Sequence, residues 1–167
     1  MTYFDLFEIP IQLQVDKAQI TRKYFELSRK YHPDYHSNTS PETQAEALEM
    51  SALLNRAYRV LQNPDETIRY VLQIKGILEE EEKYELPADF LMEVMEINES
   101  LMDSEDPGTR EKIIRAIGIL EESIRVPVQD ILTGYREGQT PVDSLLKVKD
   151  FFFKKKYIDR IRKQLDG

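Results

Sequence analysis

The chain has 167 residues, of which 41% are hydrophobic and 32% carry a charge. With only six glycines and eight prolines, this composition predicts one or two small, mostly helical domains. The absence of cysteine excludes disulfides and any zinc, haem-thiolate or iron–sulfur site that depends on a cysteine ligand. The N-terminus has no basic leader and no apolar stretch approaches the length of a membrane span. We therefore expect a cytoplasmic protein with no membrane partner.

The net charge of −8 is concentrated in one segment of the chain. Residues 76–106 contain twelve acidic side chains and a single basic one, Lys83, whereas residues 1–75 are close to neutral. An acidic surface of this kind repels a phosphate backbone, so we expect no nucleic-acid partner. A basic protein partner would suit it, although runs of charge often form only a solvated face.

Apolar periodicity in the first half predicts a helical hairpin with a short helical segment on either side. The predicted elements cover residues 2–8, 17–31, 41–62 and 65–75. Asp16, Ser40 and Asp65 stand where N-caps are expected, and Pro41 suits the first turn of the second long helix. Gly76 can terminate the last of these helices, so we place the end of the first domain (residues 1–76) there.

The second half predicts a short acidic connection followed by a small helical bundle. Residues 77–86 contain a run of glutamates before Pro87, which is typical of an exposed linker. Three apolar-periodic stretches follow, at about 88–102, 113–135 and 141–165. The middle stretch keeps its phase across Pro127, which predicts a kinked but continuous helix. Three helices joined by short turns predict an antiparallel three-helix bundle over residues 87–167.

The junction between the two hairpin helices contains both histidines of the chain, within the sequence Tyr-His-Pro-Asp-Tyr-His at residues 31–36. Pro33 cannot continue the preceding helix and pushes His32 toward an extended conformation. His32, Pro33 and Asp34 should therefore be presented on a loop, where binding residues are common. The outer face of the preceding helix carries Arg22, Lys23, Arg29 and Lys30. From the pattern alone, a solvated face is the simpler interpretation of these four charges.

The helix predicted at 88–102 has more apolar residues than one buried face requires. Its first stripe consists of Phe90, Val94, Ile97 and Leu101. A second stripe, bordered by Glu96, Glu99 and Asp103, consists of Leu91, Met92, Met95 and Met102. Two stripes predict either burial on two sides or an exposed binding surface, and methionine is frequent on adaptable binding surfaces. The alternative, in which Leu91 and Met95 simply contact the first domain, stays open.

The order and spacing of these motifs resemble the HscB family, the J-domain co-chaperones of iron–sulfur cluster assembly, over the whole chain. The shared motifs are Tyr-Phe-x-Leu-Phe at 3–7, Tyr-His-Pro-Asp at 31–34, Asn-x-Ala-Tyr at 55–58, Leu-x-x-Pro at 61–64 and Phe-Leu-Met-Glu at 90–93. The resemblance implies an all-α protein. It would have two parts. The N-terminal J-domain would be a helical hairpin with two short helices, and the C-terminal part would be an antiparallel three-helix bundle.

The resemblance also implies two partners and no chemistry by the chain itself. His32, Pro33 and Asp34, with the basic helix face, would contact an ATP-driven chaperone of the DnaK/HscA class and stimulate its ATP hydrolysis. The bundle would hold the iron–sulfur scaffold protein IscU and deliver it to that chaperone. The scaffold contacts implied by position are Leu91, Met92, Met95, Glu96, Glu99, Asp103 and either Phe152 or Phe153, since helical phase places Phe151 in the core.

Two departures and two alternatives accompany this interpretation. Tyr35 stands where many J-domains have lysine, and the cysteine pairs of some eukaryotic members are missing, which favours a bacterial-type protein without zinc.

An enzyme could use His32, Asp34 and His36 as a metal or acid–base site. However, no further histidine or cysteine completes it, and phosphate-loop and nucleophile motifs are absent. The second alternative is a J-domain protein whose bundle recruits a different client.

Overall fold

The computed structural model describes residues 1–103 and 105–167, and within them it contains eight α-helices and no strand. The helices are α1 (Tyr3–Leu6), α2 (Lys17–Tyr31), α3 (Pro41–Gln62), α4 (Pro64–Ile74), α5 (Ala88–Ser100), α6 (Pro107–Arg125), α7 (Gln129–Gly134) and α8 (Val142–Asp166). Short 3-10 turns occupy Pro33–His36, Leu101–Asp103 and Val126–Val128. The predicted all-α class is confirmed.

The chain forms two compact units. The first comprises Met1–Val71 with Arg136–Gly138, and the second comprises Leu72–Tyr135 with Gln139–Gly167. The domain limits at residues 76 and 86 stay predictions. In the described part of the chain, no helix combines the length and the apolar character needed to cross a membrane.

The first unit is built around the hairpin of α2 and α3. Asp16 caps α2 by accepting hydrogen bonds from the backbone N–H groups of residues 18 and 19, as predicted. The rings of Tyr24 and Tyr58 stack 4.0 Å apart, and the Tyr24 hydroxyl donates to Asn55 Oδ1 at 2.7 Å. Further toward the start of α2, Gln62 Nε2 donates to Thr21 Oγ1 at 2.9 Å. This order of contacts makes the two helices antiparallel.

Helix α1 packs its aromatic residues into the first unit although it has only four residues. Thr2 and Asp5 form a capping box, and Phe4 and Phe7 are fully buried. The ring of Tyr3 stacks on Tyr70 of α4 at 4.3 Å, while the Tyr3 backbone N–H donates to the Tyr70 hydroxyl at 2.9 Å. The dense apolar segment at the N-terminus is therefore part of the first core.

The start of α4 differs from the prediction in one detail. Asn63 Oδ1, rather than the Asp65 side chain, accepts the backbone N–H groups of residues 65 and 66. The reason is that Pro64 occupies the first helical position, so the cap must be the residue before it. The chain leaves α4 through Gly76, whose φ of +70° lies in the left-handed region that favours glycine, as predicted.

The second unit contains α5, α6 and α8 packed around one apolar core. The buried residues of α5 are Phe90, Val94 and Ile97. Arg110 Nη1 at the start of α6 donates to the Leu165 carbonyl at the end of α8, at 2.9 Å. Arg162 of α8 pairs with Glu121 further along α6, at 2.6 Å. These contacts make α6 and α8 antiparallel, as expected for the predicted bundle.

The helical run predicted through Pro127 is uninterrupted from residue 107 to residue 134, but it is not α-helical throughout. The structure has a 3-10 turn at Val126–Val128 that separates α6 from the short helix α7. After the turn, the next buried residue lies four rather than three positions beyond Val128. Val128 is still buried, but Leu132 takes the buried place predicted for Ile131.

The acidic segment at 77–86 is held against α8 within the second unit. Leu78 is buried, and Lys149 Nζ donates to the Ile77 carbonyl at 2.9 Å and pairs with Glu82 at 2.6 Å. The Tyr84 hydroxyl donates to Asp150 Oδ1 at 2.8 Å. Burial and this hydrogen bond raise the pKa of Tyr84 to about 12. The glutamates at 79–81 are exposed, whereas the segment around them is anchored.

Candidate functional site

The loop that follows α2, which we name the docking loop (residues 32–36), is shaped by its own backbone. His32 ends α2 with φ −63° and ψ +131°, an extended conformation, and Pro33 opens the 3-10 turn. The Asp34 backbone N–H donates to His32 Nδ1 at 3.2 Å, and the Tyr35 backbone N–H donates to the His32 carbonyl at 3.0 Å. The predicted effect of Pro33 on the helix and on His32 is confirmed.

The two titratable side chains of the docking loop face water. The Asp34 side chain is 90% exposed and the His32 side chain is about half exposed. Asp34 Oδ2 lies 3.6 Å from His32 Nδ1, which is too far for a hydrogen bond. The Asp34 carboxylate is therefore open to a cation on a partner.

The second histidine is used inside the loop. His36 Nε2 lies 3.1 Å from the Lys30 carbonyl at the end of α2 and donates to it. Thr39 Oγ1 donates in turn to the His36 carbonyl, and Ser37 Oγ donates to the Asp34 carbonyl. No group of three or more histidine and acidic side chains that could hold a metal ion occurs in the described residues. This arrangement ties the far end of the docking loop to α2.

An open groove adjoins the docking loop. It is lined by Phe25, Ser28 and Arg29 of α2 and by His32, Asp34 and Tyr35. The rings of Phe25 and Tyr35 are each more than half exposed. Sequence reasoning missed Phe25. The available signal was an aromatic residue that lies off the apolar stripe of α2.

The basic face of α2 is only partly available to a partner. Arg22, Arg29 and Lys30 are exposed and form no ion pair within residues 1–103 and 105–167. Lys23 instead pairs with Glu8 at 2.8 Å, and this hydrogen bond raises the pKa of Lys23 and lowers the pKa of Glu8. Three of the four predicted cations are therefore free to attract an acidic surface.

The second set of predicted residues shares the outward side of α5 and the turn after it. This surface, which we name the α5 face, consists of Leu91, Met92, Met95, Glu96, Glu99 and Asp103. Met92 is 63% exposed and Met95 is 60% exposed, Leu91 is half-buried, and the three acidic side chains are exposed. The second apolar stripe of α5 thus faces outward.

The burial of Phe152 and Phe153 does not favour their predicted role in partner binding. Phe152 is 5% exposed and Phe153 is 9% exposed, so both are buried alongside Phe151. Tyr84 stacks on Phe153 with ring centroids 4.6 Å apart, and Phe152 contacts Phe153 edge to face. The sequence prediction failed to see this because it treated residues 77–86 as an exposed linker.

Comparison with known proteins covers both units. A DnaJ domain matches residues 2–70, and the HSCB C-terminal oligomerisation domain matches residues 86–166. A co-chaperone protein HscB homolog of Haemophilus ducreyi is 32% identical over 91% of this chain and 89% of its own length. The chain belongs to the HscB family of co-chaperones. The human iron–sulfur cluster co-chaperone protein HscB is 30% identical over 98% of this chain and 66% of its own length.

Solved structures of the family agree with the fold. The crystal structure of human co-chaperone protein HscB matches with a TM-score of 0.79 and 27% identity, over 99% of this chain and 81% of that one. Chaperone HscB from Vibrio cholerae matches with a TM-score of 0.68 and 25% identity, over 99% and 96%. J-domain co-chaperones are not an enzyme family.

Proposed function

We propose that this protein stimulates the ATPase of a DnaK/HscA-class chaperone and delivers the iron–sulfur scaffold protein IscU to it. Docking of the chaperone is assigned to residues 1–76 and scaffold binding to residues 87–167. Membership of the HscB family supports both parts, as does the name of the human relative, an iron–sulfur cluster co-chaperone. The observation that carries the proposal is the docking loop, which holds Asp34 in a fixed and exposed position.

The docking loop would act by favouring one state of the chaperone. The Asp34 carboxylate would pair with a basic residue of the chaperone, a contact of about 1.5–3 kcal/mol when it is shielded from water. Pro33 and the local hydrogen bonds keep the loop ordered before binding, which lowers the entropy lost on docking. Stimulation follows only if these contacts are stronger in the hydrolysis-competent state than in the resting state.

The basic face of α2 would guide the first encounter. Arg22, Arg29 and Lys30 are exposed and can attract an acidic surface on the chaperone. Lys23 should contribute less, because Glu8 already neutralises its charge. Contacts of this kind raise the association rate and weaken with salt, whereas the docking loop provides specificity.

The α5 face would bind the scaffold through an apolar centre and an acidic rim. Leu91, Met92 and Met95 supply the centre, and burial of each such side chain contributes up to about 1.5–3 kcal/mol. Glu96, Glu99 and Asp103 suit basic residues around a complementary apolar patch on the scaffold. Methionine side chains adapt to an irregular partner surface, which fits a site of this composition.

The decisive experiment is a steady-state ATPase assay of the chaperone with this protein, in the presence and absence of IscU. We expect stimulation by the wild-type protein and a further increase when IscU is present. His32→Gln should abolish stimulation while the helical circular dichroism spectrum and IscU binding are unchanged. Normal stimulation by this variant would contradict the docking assignment.

The identity of the client is tested separately by a pull-down with purified IscU. The other interpretation is a J-domain protein whose bundle recruits a different client. Stimulation of the ATPase without any binding of IscU would support that interpretation and contradict delivery of the scaffold. Binding of IscU that does not increase stimulation further would contradict the coupling between the two partners.

A further inference from the structure

The two ring nitrogens of His32 have different surroundings. Nδ1 lies 3.2 Å from the Asp34 backbone nitrogen, whose N–H can only donate. The Asp34 carboxylate would favour a proton on Nδ1, but its Oδ2 is 3.6 Å away, beyond hydrogen-bond distance. The amide contact is the shorter one and meets the distance expected of a hydrogen bond, so Nδ1 is the acceptor.

An acceptor nitrogen carries no proton, and this fixes the other nitrogen. In a neutral imidazole one nitrogen donates and the other accepts, so His32 must carry its proton on Nε2. Nε2 forms no hydrogen bond with any residue in the described part of the chain, and the His32 side chain is about half exposed. The docking loop therefore leaves one exposed N–H donor that a partner can reach.

Tyr35 restrains the plane of the His32 imidazole ring. Tyr35 meets His32 edge to face, with ring centroids 6.2 Å apart and an interplanar angle of 85°. The Tyr35 backbone N–H also donates to the His32 carbonyl at 3.0 Å. Both the protonation pattern and the orientation of His32 are thus set by the two residues that follow Pro33.

We propose that His32 recognises the chaperone as a hydrogen-bond donor through Nε2–H. The docking loop then requires two neighbouring groups on its partner: an oxygen that accepts the His32 hydrogen bond and a cation that pairs with Asp34. This inference rests on the proposed docking function and adds the direction of the hydrogen bond to it. A donor group on the chaperone opposite His32 would leave two N–H groups facing each other and would not be accepted.

The first test measures the tautomer of His32 in the free wild-type protein by ¹⁵N NMR. At about pH 8 an imidazole side chain is neutral, so the two tautomers can be distinguished. We expect His32 as the Nε2–H tautomer, with His36→Gln used to assign the signals of the two histidines. A predominant Nδ1–H tautomer of His32 would overturn the inference, whatever the outcome of the ATPase assay.

The second test separates the two nitrogens with a pair of substitutions. In His32→Asn the side-chain oxygen takes the place of Nδ1 and can still accept the Asp34 N–H, but no donor takes the place of Nε2. In His32→Gln the amide nitrogen takes the place of Nε2, but the acceptor for the Asp34 N–H is lost, so the donor is no longer held in position and stimulation is lost as well. Hydrogen exchange of the Asp34 amide should therefore stay close to wild type in His32→Asn and become faster in His32→Gln.

The ATPase assay then decides whether the donor matters. We expect His32→Asn to keep the loop conformation and yet lose stimulation, because the Nε2–H group is missing. Wild-type stimulation by His32→Asn would overturn the inference. Stimulation by the wild-type protein tests the proposed docking function alone, so failure of the donor assignment is distinguishable from failure of the docking assignment.

Discussion

The docking loop and the α5 face present the predicted binding residues in two different ways. In the loop, hydrogen bonds among residues within a few positions of one another fix single atoms, such as His32 Nδ1 and the Asp34 backbone nitrogen. On the α5 face, the outward positions of Met92 and Met95 follow from helix periodicity and from the buried stripe behind them. The loop should therefore depend on individual atoms, whereas the α5 face should depend on total apolar area.

The largest effect is expected from a single atom exchange in the docking loop. Asp34→Asn keeps the size of the side chain but removes its charge, so the pair with a basic residue of the chaperone is lost. A loss of about 1.5–3 kcal/mol corresponds to a decrease of about 10- to 150-fold in the efficiency of stimulation. The measurement is chaperone ATPase activity as a function of the concentration of this protein.

The matched control for Asp34→Asn is Glu49→Gln, which removes an exposed carboxylate from α3 in the same unit. It makes the same change in net charge away from the docking loop, so stimulation should stay close to wild type. Equal losses in the two variants would mean that overall charge, rather than the position of Asp34, drives stimulation.

Disruption of the α5 face needs two substitutions to reach a comparable effect. Leu91→Ala with Met95→Ala removes apolar area at the centre of the face. A combined loss of about 3 kcal/mol would weaken IscU binding about 100-fold. Isothermal titration calorimetry measures the affinity, and circular dichroism should show an unchanged helical content.

The control for the double variant is Ile119→Ala, which removes an exposed apolar side chain from α6 in the same unit. It should leave IscU affinity unchanged. Wild-type affinity in the Leu91→Ala/Met95→Ala variant would place scaffold binding elsewhere in the protein.

Local signals were sufficient to predict most of the first unit. Asp16 and Ser40 act as N-caps, and α2 and α3 begin and end at the predicted residues. These features depend on neighbouring residues alone, so sequence determines them directly. The same holds for Pro33 and the extended conformation of His32. Asp65 was assigned wrongly because both Asn63 and Asp65 are good caps, and Pro64 decides between them.

The features that sequence reasoning missed depend on residues far apart in the chain. The residues around Tyr84 contain no signal that its ring stacks on Phe153. The pairing of Lys149 with Glu82 also has no local signal in the sequence. The run of glutamates suggested an exposed linker, and the burial of Phe152 and Phe153 was therefore not foreseen.

The anchoring of residues 77–86 on α8 can be weakened without a change to the α5 face. Lys149→Met removes the partner of Glu82, and the two side chains are each less than a fifth exposed. Leaving this partly buried carboxylate without its cation should lower the free energy of unfolding by about 1 kcal/mol, since Glu82 still accepts the Glu79 backbone N–H. Chemical denaturation measures this change. Under native conditions IscU affinity should stay close to wild type, because the α5 residues are unaltered.

The same pair predicts how stability depends on pH. The hydrogen bond from Lys149 lowers the pKa of Glu82 below the usual glutamate value of 4.5, although burial opposes this shift. The stabilisation is therefore complete above about pH 4.5 and is lost as pH falls through the lower pKa of the folded state. In Glu82→Gln this contribution is absent. The difference in unfolding free energy between wild type and Glu82→Gln should shrink below pH 4.5, and a constant difference would contradict the assignment.

The smallest effect is expected from the rim of the α5 face. Glu99 is exposed, so a basic residue of IscU would meet it in water-accessible surroundings where charge pairs contribute little. Glu99→Gln should weaken IscU binding by about 2- to 5-fold at low salt, mainly through a slower association rate. At about 0.5 M salt the difference from wild type should vanish, because screening shortens the range of such contacts. Stopped-flow association at two salt concentrations measures this. A loss that persists at high salt would show that Glu99 is buried in the complex and depends on a specific atom, as Asp34 does in the docking loop.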